Sequence, residues 1–208
     1  MVKLTGPMMS FGASGTLAKT ATFSKWHGRA YARQRVVPSN PKSVLQVSTR
    51  AMFKFLSQAW EAVGSTPKGS WVPAAAAGQY LPFNAYMSAN GMRWKEFSAP
   101  SQTNPAAETG TPPVATLDNA VGGASHMDLT LTITTLNAVW GVILFRSPSG
   151  TFTPSRANAI AVLPVDGTGT LVYTDSNLAA GAYFYDAKFF TKEGLLGADE
   201  GEVTGTVT

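Results

Sequence analysis

The hydrophobic period of this chain changes once, and the change falls across a proline-containing stretch. Ahead of it, Val44, Leu45, Ser48, Ala51, Met52, Phe55, Leu56, Ala59, Trp60 and Val63 recur at three- and four-residue spacing, one face of a helix. Behind it, residues 128–136 alternate, and further short apolar runs follow, each bounded by Gly, Asn, Asp or Ser as strands are. In between, residues 98–115 hold Pro100, Pro105, Pro112 and Pro113 among small polar residues and carry no period, so they read as a linker. This order predicts three parts. Residues 1–97 form an α+β N-terminal part, a β-hairpin plus helices; residues 98–115 are the linker; residues 116–208 are an all-β sandwich.

Local signals fill in the first part. Residues 1–17 have no period and are broken by Gly6-Pro7, Gly12 and Gly15, which reads as an extended arm. Residues 19–26 and 29–37 flank His27-Gly28, an X-Gly pair suited to a two-residue hairpin turn. Pairing outward from that turn sets Trp26, Arg29, Tyr31, Arg33 and Arg35 on one face with Thr20, Thr22 and Ser24, and Phe23, Ala21, Ala30, Ala32 and Val36 on the other. Pro38 stops the strand. Asn40 is placed as helix N-cap with Pro41 at the first helical position, and Gly64 as the glycine just past the helix end. Residues 65–71 are turn-rich, and a second helix is expected over residues 82–97, with Phe83, Tyr86, Met87, Trp94 and Phe97 along one side. In the third part, runs near 128–136, 139–145, 159–165, 169–174, 182–191 and 202–207 give six or seven strands, enough for a small antiparallel sandwich.

Charge is segregated in the same way. Through residue 97 the chain carries twelve Lys/Arg and two acids, Glu61 and Glu96; beyond it come four Lys/Arg and ten acids, net charges of +10 and −6 within the overall +4. Such asymmetry bears on partners rather than fold, and a basic end calls for something negative. Charged residues are only 13% of the chain, well under the usual quarter. A sparsely charged surface fits one covered by neighbouring subunits. The absence of Cys excludes disulfides, thiolate nucleophiles and Cys-based metal sites. The most apolar stretch, residues 139–145, suits a strand and is too short to cross a bilayer, so no membrane partner is expected. No apolar region follows the basic start, so no Sec-type leader is expected.

Candidate chemistry is sparse. His27 and His126 lack metal-ligand spacing to other ligands, no phosphate loop or Gly-x-Ser-x-Gly elbow is present, and no carboxylate pair stands out. The chain is therefore expected to be no enzyme and to need no cofactor or metal. The candidate partner-binding residues are Lys25, Trp26, Arg29, Tyr31, Arg33 and Arg35 on the hairpin. Arg, Tyr and Trp anchor protein interfaces, and Lys/Arg with aromatics also suit nucleic acid, so two partners compete for this face.

Two stretches carry resemblances. Residues 142–147, the loop with Phe152-Thr153-Pro154-Ser155, Tyr173-Thr174-Asp175, and Leu178 followed by Gly181 ahead of Tyr183-Phe184-Tyr185 resemble fibronectin type III and related immunoglobulin-like sandwiches. Such a likeness implies a fold and is almost silent on function. Residues 15–41 contain Phe23-Ser24-Lys25-Trp26-His27-Gly28-Arg29 and then Val37-Pro38-Ser39-Asn40-Pro41, an order that resembles structural proteins of tailed-bacteriophage virions. That resemblance implies a virion component, made in the bacterial host cytoplasm, docked on capsid or head–tail subunits in many copies and displaying its sandwich as a capsid decoration or head fibre. The alternatives are a tail-fibre or host-adhesion module, binding a host-surface ligand through the loops at 152–158 and 175–180, and a nucleic-acid-binding virion protein.

Overall fold

The computed structural model describes residues 15–17, 20–27, 29–37, 42–111, 115–134 and 139–208, and the chain divides into two compact units, Met1–Pro41 and Lys42–Thr208.

The first unit is a three-stranded antiparallel ribbon of β1 (Gly15–Leu17), β2 (Ala21–Trp26) and β3 (Arg29–Gln34), in that order. The hairpin register is the expected one, from Trp26↔Arg29 through Ser24↔Tyr31 and Thr22↔Arg33 to Ala21↔Gln34, and the Arg35 amide extends it by donating to the Thr20 carbonyl at 2.8 Å. Residues 15–17, expected within an arm, instead pair with β2 from Gly15↔Phe23 to Leu17↔Ala21. A lone two-stranded hairpin is marginal in water, and a third strand satisfies one of its open edges. Asn40 and Pro41 lie outside the described residues, but the helix that follows is capped at Ser43 rather than Asn40, with Lys42 non-helical at φ 49°.

The second unit begins with four helices: α1 (Val44–Ala62), α2 (Ser65–Ser70), α3 (Val72–Gly78) and α4 (Pro82–Lys95). Helix α1 is the one the period predicts, with Ser48, Met52, Phe55 and Leu56 buried. Its end differs from expectation. Val63 leaves the helix extended at φ −66° and ψ 128° and is buried, which drives its side chain into the core. Gly64, at φ −64°, has no left-handed role and leads into α2, so the expected turn-rich stretch is helical. Helices α3 and α4 each carry proline in the first turn, where the missing N–H has no partner to lose.

Seven strands follow: β4 (Ala115–Gly123), β5 (His126–Ile133), β6 (Val139–Ser147), β7 (Ala159–Pro164), β8 (Gly169–Ser176), β9 (Gly181–Thr191) and β10 (Val203–Val207). They form two antiparallel sheets, β4-β5-β8 and β10-β9-β6-β7. Leu117, Met127, Leu129 and Leu131 of the first sheet interdigitate with Val142, Leu144, Tyr185, Ala187 and Phe189 of the second. Three strands packed on four, with the chain crossing between sheets after β5, β7 and β8, make a fibronectin III-like sandwich. Strand β4 gave no clear period because a bulge interrupts its register between Leu117 and Asn119. At the closed side of the sandwich β4 and β10 come so near that a Cβ on Gly122 would lie 1.7 Å from the Thr206 carbonyl oxygen.

A second core lies on the other face of the four-stranded sheet. Trp140, Ile143, Phe145, Ala159, Val162 and Phe190 meet Met52, Phe55, Leu56, Trp71, Tyr86 and Trp94 of the helical layer. Phe55 stacks edge-on against both Trp140 and Phe190, with ring centroids 5.1 and 5.3 Å away. This explains why residues 139–145 are apolar without alternation: both faces of β6 are covered, as in the strands of a doubly packed sheet.

The boundary expected at residues 98–115 is therefore not where the molecule divides. The helices and the sandwich share one unit, and residues 99–111 are a strap bonded into it. The Asn90 side chain donates to the Ser101 carbonyl at 3.0 Å and accepts from the Ser101 amide at 2.7 Å, and both residues are fully buried. Trp71 Nε1 donates to the Gln102 carbonyl at 2.7 Å, and the Gln102 amide donates to the Lys192 carbonyl at 2.8 Å. Arg93 closes the strap, donating to the carbonyls of Ala99 (2.6 Å) and Gly194 (3.0 Å) and pairing with Glu108 at 3.0 Å. A buried backbone must find partners somewhere. Here they come from side chains and carbonyls on other elements.

Candidate functional site

The hairpin face is built by alternation. Trp26↔Arg29, Ser24↔Tyr31 and Thr22↔Arg33 fall in one alternating set of the register, and Arg35 continues it beside Thr20. Lys25 is paired with Ala30, in the other set together with Phe23↔Ala32, so the register separates it from the remaining five candidates. Tyr31, Arg33 and Arg35 are exposed, Tyr31 by 39%. The side chains of Lys25, Trp26 and Arg29 lie outside the described ones. At the turn, His27 takes a left-handed φ of 47°, the backbone a tight two-residue connection requires. No acid precedes Glu61 in the chain, so nothing within this unit neutralises the guanidinium groups. What such a ribbon can do is dock: two described guanidinium forks beside a phenol, facing outward, suit carboxylates or phosphates.

The two sandwich loops with a claim to ligand binding spend their groups internally. In the first, the Asn158 side chain accepts from the Ser155 amide at 2.7 Å and donates to the Thr153 carbonyl at 3.0 Å, while Phe152 packs against the helix-facing core. In the second, Asp175 is buried and accepts from Arg146 Nη1 at 2.7 Å and from the Tyr185 hydroxyl at 3.1 Å, tying β8 to the opposite sheet. Burial, reinforced by the Asp175 charge, pushes the Tyr185 phenol well above its ordinary value. Leu178 is buried, and the Tyr183 hydroxyl donates back to the Ala179 carbonyl at 3.2 Å. That last bond is the corner expected from leucine and glycine ahead of an aromatic strand.

The sequence offered no hint of a cleft of ≈ 550 Å³ between α1 and the ends of β6 and β7. Phe55 and Trp140 line it together with Gln58, Gln102, Asp166 and Lys192. Its polar residues come from separate stretches of chain, so no motif announces it. Among the described lining residues no Ser, Thr or Cys stands beside a base. His126 lies 3.8 Å from Asp128 through Nε2, and among the described residues no three metal-ligating side chains gather. Sequence reasoning also missed the acid-rich stretch after β9. There burial and the neighbouring charges of Asp186 and Asp199 push the Glu200 carboxyl up, and burial does the same to Asp186.

No protein-family profile and no curated protein matches the chain. Among solved structures, a fibronectin III-like protein from Clostridium thermocellum is similar over 47% of this chain and 96% of its own, at 20% identity and a TM-score of 0.36. The fibronectin(III)-like modules of CbhA from the same organism are similar over 45% and 94%, at 16% identity and 0.33. A β-1,2-glucanase from Parabacteroides distasonis is similar at 17% identity and 0.37 over 48% of this chain, which spans only 13% of the glucanase. The sandwich stands on its own strand order and shared core.

Proposed function

We propose that this chain is a non-enzymatic structural protein of a tailed-bacteriophage virion. Its basic ribbon docks on an acidic surface of capsid or head–tail subunits, and its helix-backed sandwich is displayed outward as a capsid decoration or head fibre. The observation that carries this reading is the ribbon itself: a separate compact unit whose Tyr31, Arg33 and Arg35 are exposed, ahead of the first acid in the chain. Arg and Tyr are favoured interface anchors, and repetition over many copies turns individually weak contacts into firm attachment. The adhesion alternative draws less support, because the loops it needs are bonded inward. Cryo-electron microscopy of purified virions tests the proposal. Density for this chain at regular positions on the shell, with the Arg33–Arg35 face against another subunit, is expected. Virions that lack the chain refute it.

The same exposed guanidinium groups beside Tyr31 favour nucleic acid as the second reading. It requires DNA binding that falls steeply with salt and is lost in the Arg29/Arg33/Arg35→Ala triple variant.

A further inference from the structure

Helix α1 packs on β7 and α4 packs on α1 and α3, and both leave apolar residues exposed. On α1 Phe53 is 41% exposed, and on α4 Met92 is 57% exposed. The Phe53 ring lies across α4 at Gly91, its Cζ 3.2 Å from where a Cβ would stand, which brings it beside Met92. Arg50 and Lys54 flank Phe53 along α1, both are exposed, and neither has an acidic partner among the described residues. An apolar centre rimmed by unpaired cations is an interface in composition.

Its complement exists in the same unit. Residues 197–200 run along β9, with the Gly197 amide donating to Phe189 and the Glu200 amide to Ala187 at 2.7 and 3.1 Å. That course gathers Asp199, Glu200 and Glu202 beside buried Asp186, with Lys188 as the paired cation, 2.8 Å from Asp199. Glu202 and the half-buried Phe184 both flank Gly150, so the acidic edge has an apolar floor of its own. Helix α1 packs over β7, whereas the acidic edge lies at the β9–β10 end of the same sheet, so the two patches sit apart within one copy. We propose that the outward face of α1 and α4 (Arg50, Phe53, Lys54 and Met92) docks on the acidic edge (Asp199, Glu200 and Glu202) of a second copy of this chain. A contact between two different patches is heterologous, so it adds copies head to tail into a ring or a filament rather than stopping at a symmetric pair. The inference does not depend on the virion reading.

Sedimentation of the full chain over a range of concentrations tests it. The mass is expected to climb with concentration at low ionic strength and to fall toward the monomer as salt screens the contact. Phe53→Asp, and independently Arg50→Glu with Lys54→Glu, disable the helical face; Glu200→Lys with Glu202→Lys disables the acidic edge. All these positions are wholly or partly exposed, so folding is expected to be retained, as a thermal unfolding curve checks. Each variant alone is expected to stay monomeric. A helical-face variant mixed with the edge variant is expected to form complexes that stop at two copies, because each retains the one patch the other lacks. Wild-type chain that stays monomeric at low salt overturns the proposal, as does association that survives in both classes of variant. A monomer whose helical face instead shifts duplex DNA, and loses that shift in Arg50→Glu/Lys54→Glu, assigns the face to nucleic acid and overturns it too.

Discussion

Asn90→Ala separates a strap from a linker. Asn90 mimics a strand partner for Ser101, giving a hydrogen bond to its carbonyl at 3.0 Å and taking one from its amide at 2.7 Å, with both residues fully buried. Truncation to alanine leaves a donor and an acceptor of the Ser101 backbone in a dry site. Each such orphan costs about 1–3 kcal/mol, so the pair is expected to cost about 2–6 kcal/mol. For a domain of this size about 1 kcal/mol moves the melting temperature by about 2–4 °C, which puts the expected loss at about 4–24 °C. Equilibrium urea unfolding followed by tryptophan fluorescence measures the cost directly, since Trp71 and Trp94 are buried beside the strap. Hydrogen exchange at the Ser101 amide is expected to accelerate in parallel. A cost below about 0.5 kcal/mol, the range of an ordinary surface substitution, with unchanged exchange at Ser101, would refute the reasoning and return residues 99–111 to the role of a passive connection.

Other outcomes follow from the same geometry. Gly122→Ala forces a methyl to within 1.7 Å of the Thr206 carbonyl oxygen, and Gly205→Ala meets the Ala120 carbonyl oxygen at 2.6 Å; each is expected to cost about 1–3 kcal/mol or more in chemical denaturation, as overpacking does. Tyr183→Phe removes the corner bond to Ala179 and is expected to cost about 0.5–1.5 kcal/mol. Burial raises the carboxyls of Asp186 and Glu200, so the folded chain holds those protons more tightly than the unfolded one. Their contribution is therefore present at pH values below the ordinary carboxyl range and is lost as pH rises through the raised values; Glu200→Gln is expected to flatten that slope in thermal melts between about pH 4 and 7.

What the sequence made legible is what neighbours along the chain decide. The register of the ribbon follows from one X-Gly pair, and α1 follows from its own spacing, because turn geometry and helical periodicity are local. Strand β6 was legible as buried, but not the reason: nothing in residues 139–147 reveals that a helical layer covers its second face. The strap was misread for a related cause. Its prolines and small polar residues are those of a linker, and its partners, Asn90, Arg93 and Trp71, lie on elements that only the folded chain brings near. Gly64 was assigned by frequency, and burial of Val63 decided otherwise. Of the candidate face, alternation outward from the X-Gly turn set Tyr31, Arg33 and Arg35 together and Lys25 opposite Ala30, and the ribbon has that register. The cleft by Trp140 and the acidic edge left no signal, since each is assembled from residues remote from one another.

The four-stranded sheet is a shared wall between two cores, and that bears on how the chain can be taken apart or inherited. A free-standing sandwich module keeps one side of each sheet for water, so it can be cut out, duplicated or spliced onto a new neighbour. Here, excision at residues 98–115 would strip the cover from Trp140, Ile143, Phe145 and Phe190, an apolar surface of the kind that drives aggregation. Helices and sandwich therefore form one indivisible piece, since both cores are built wholly from residues of the second unit.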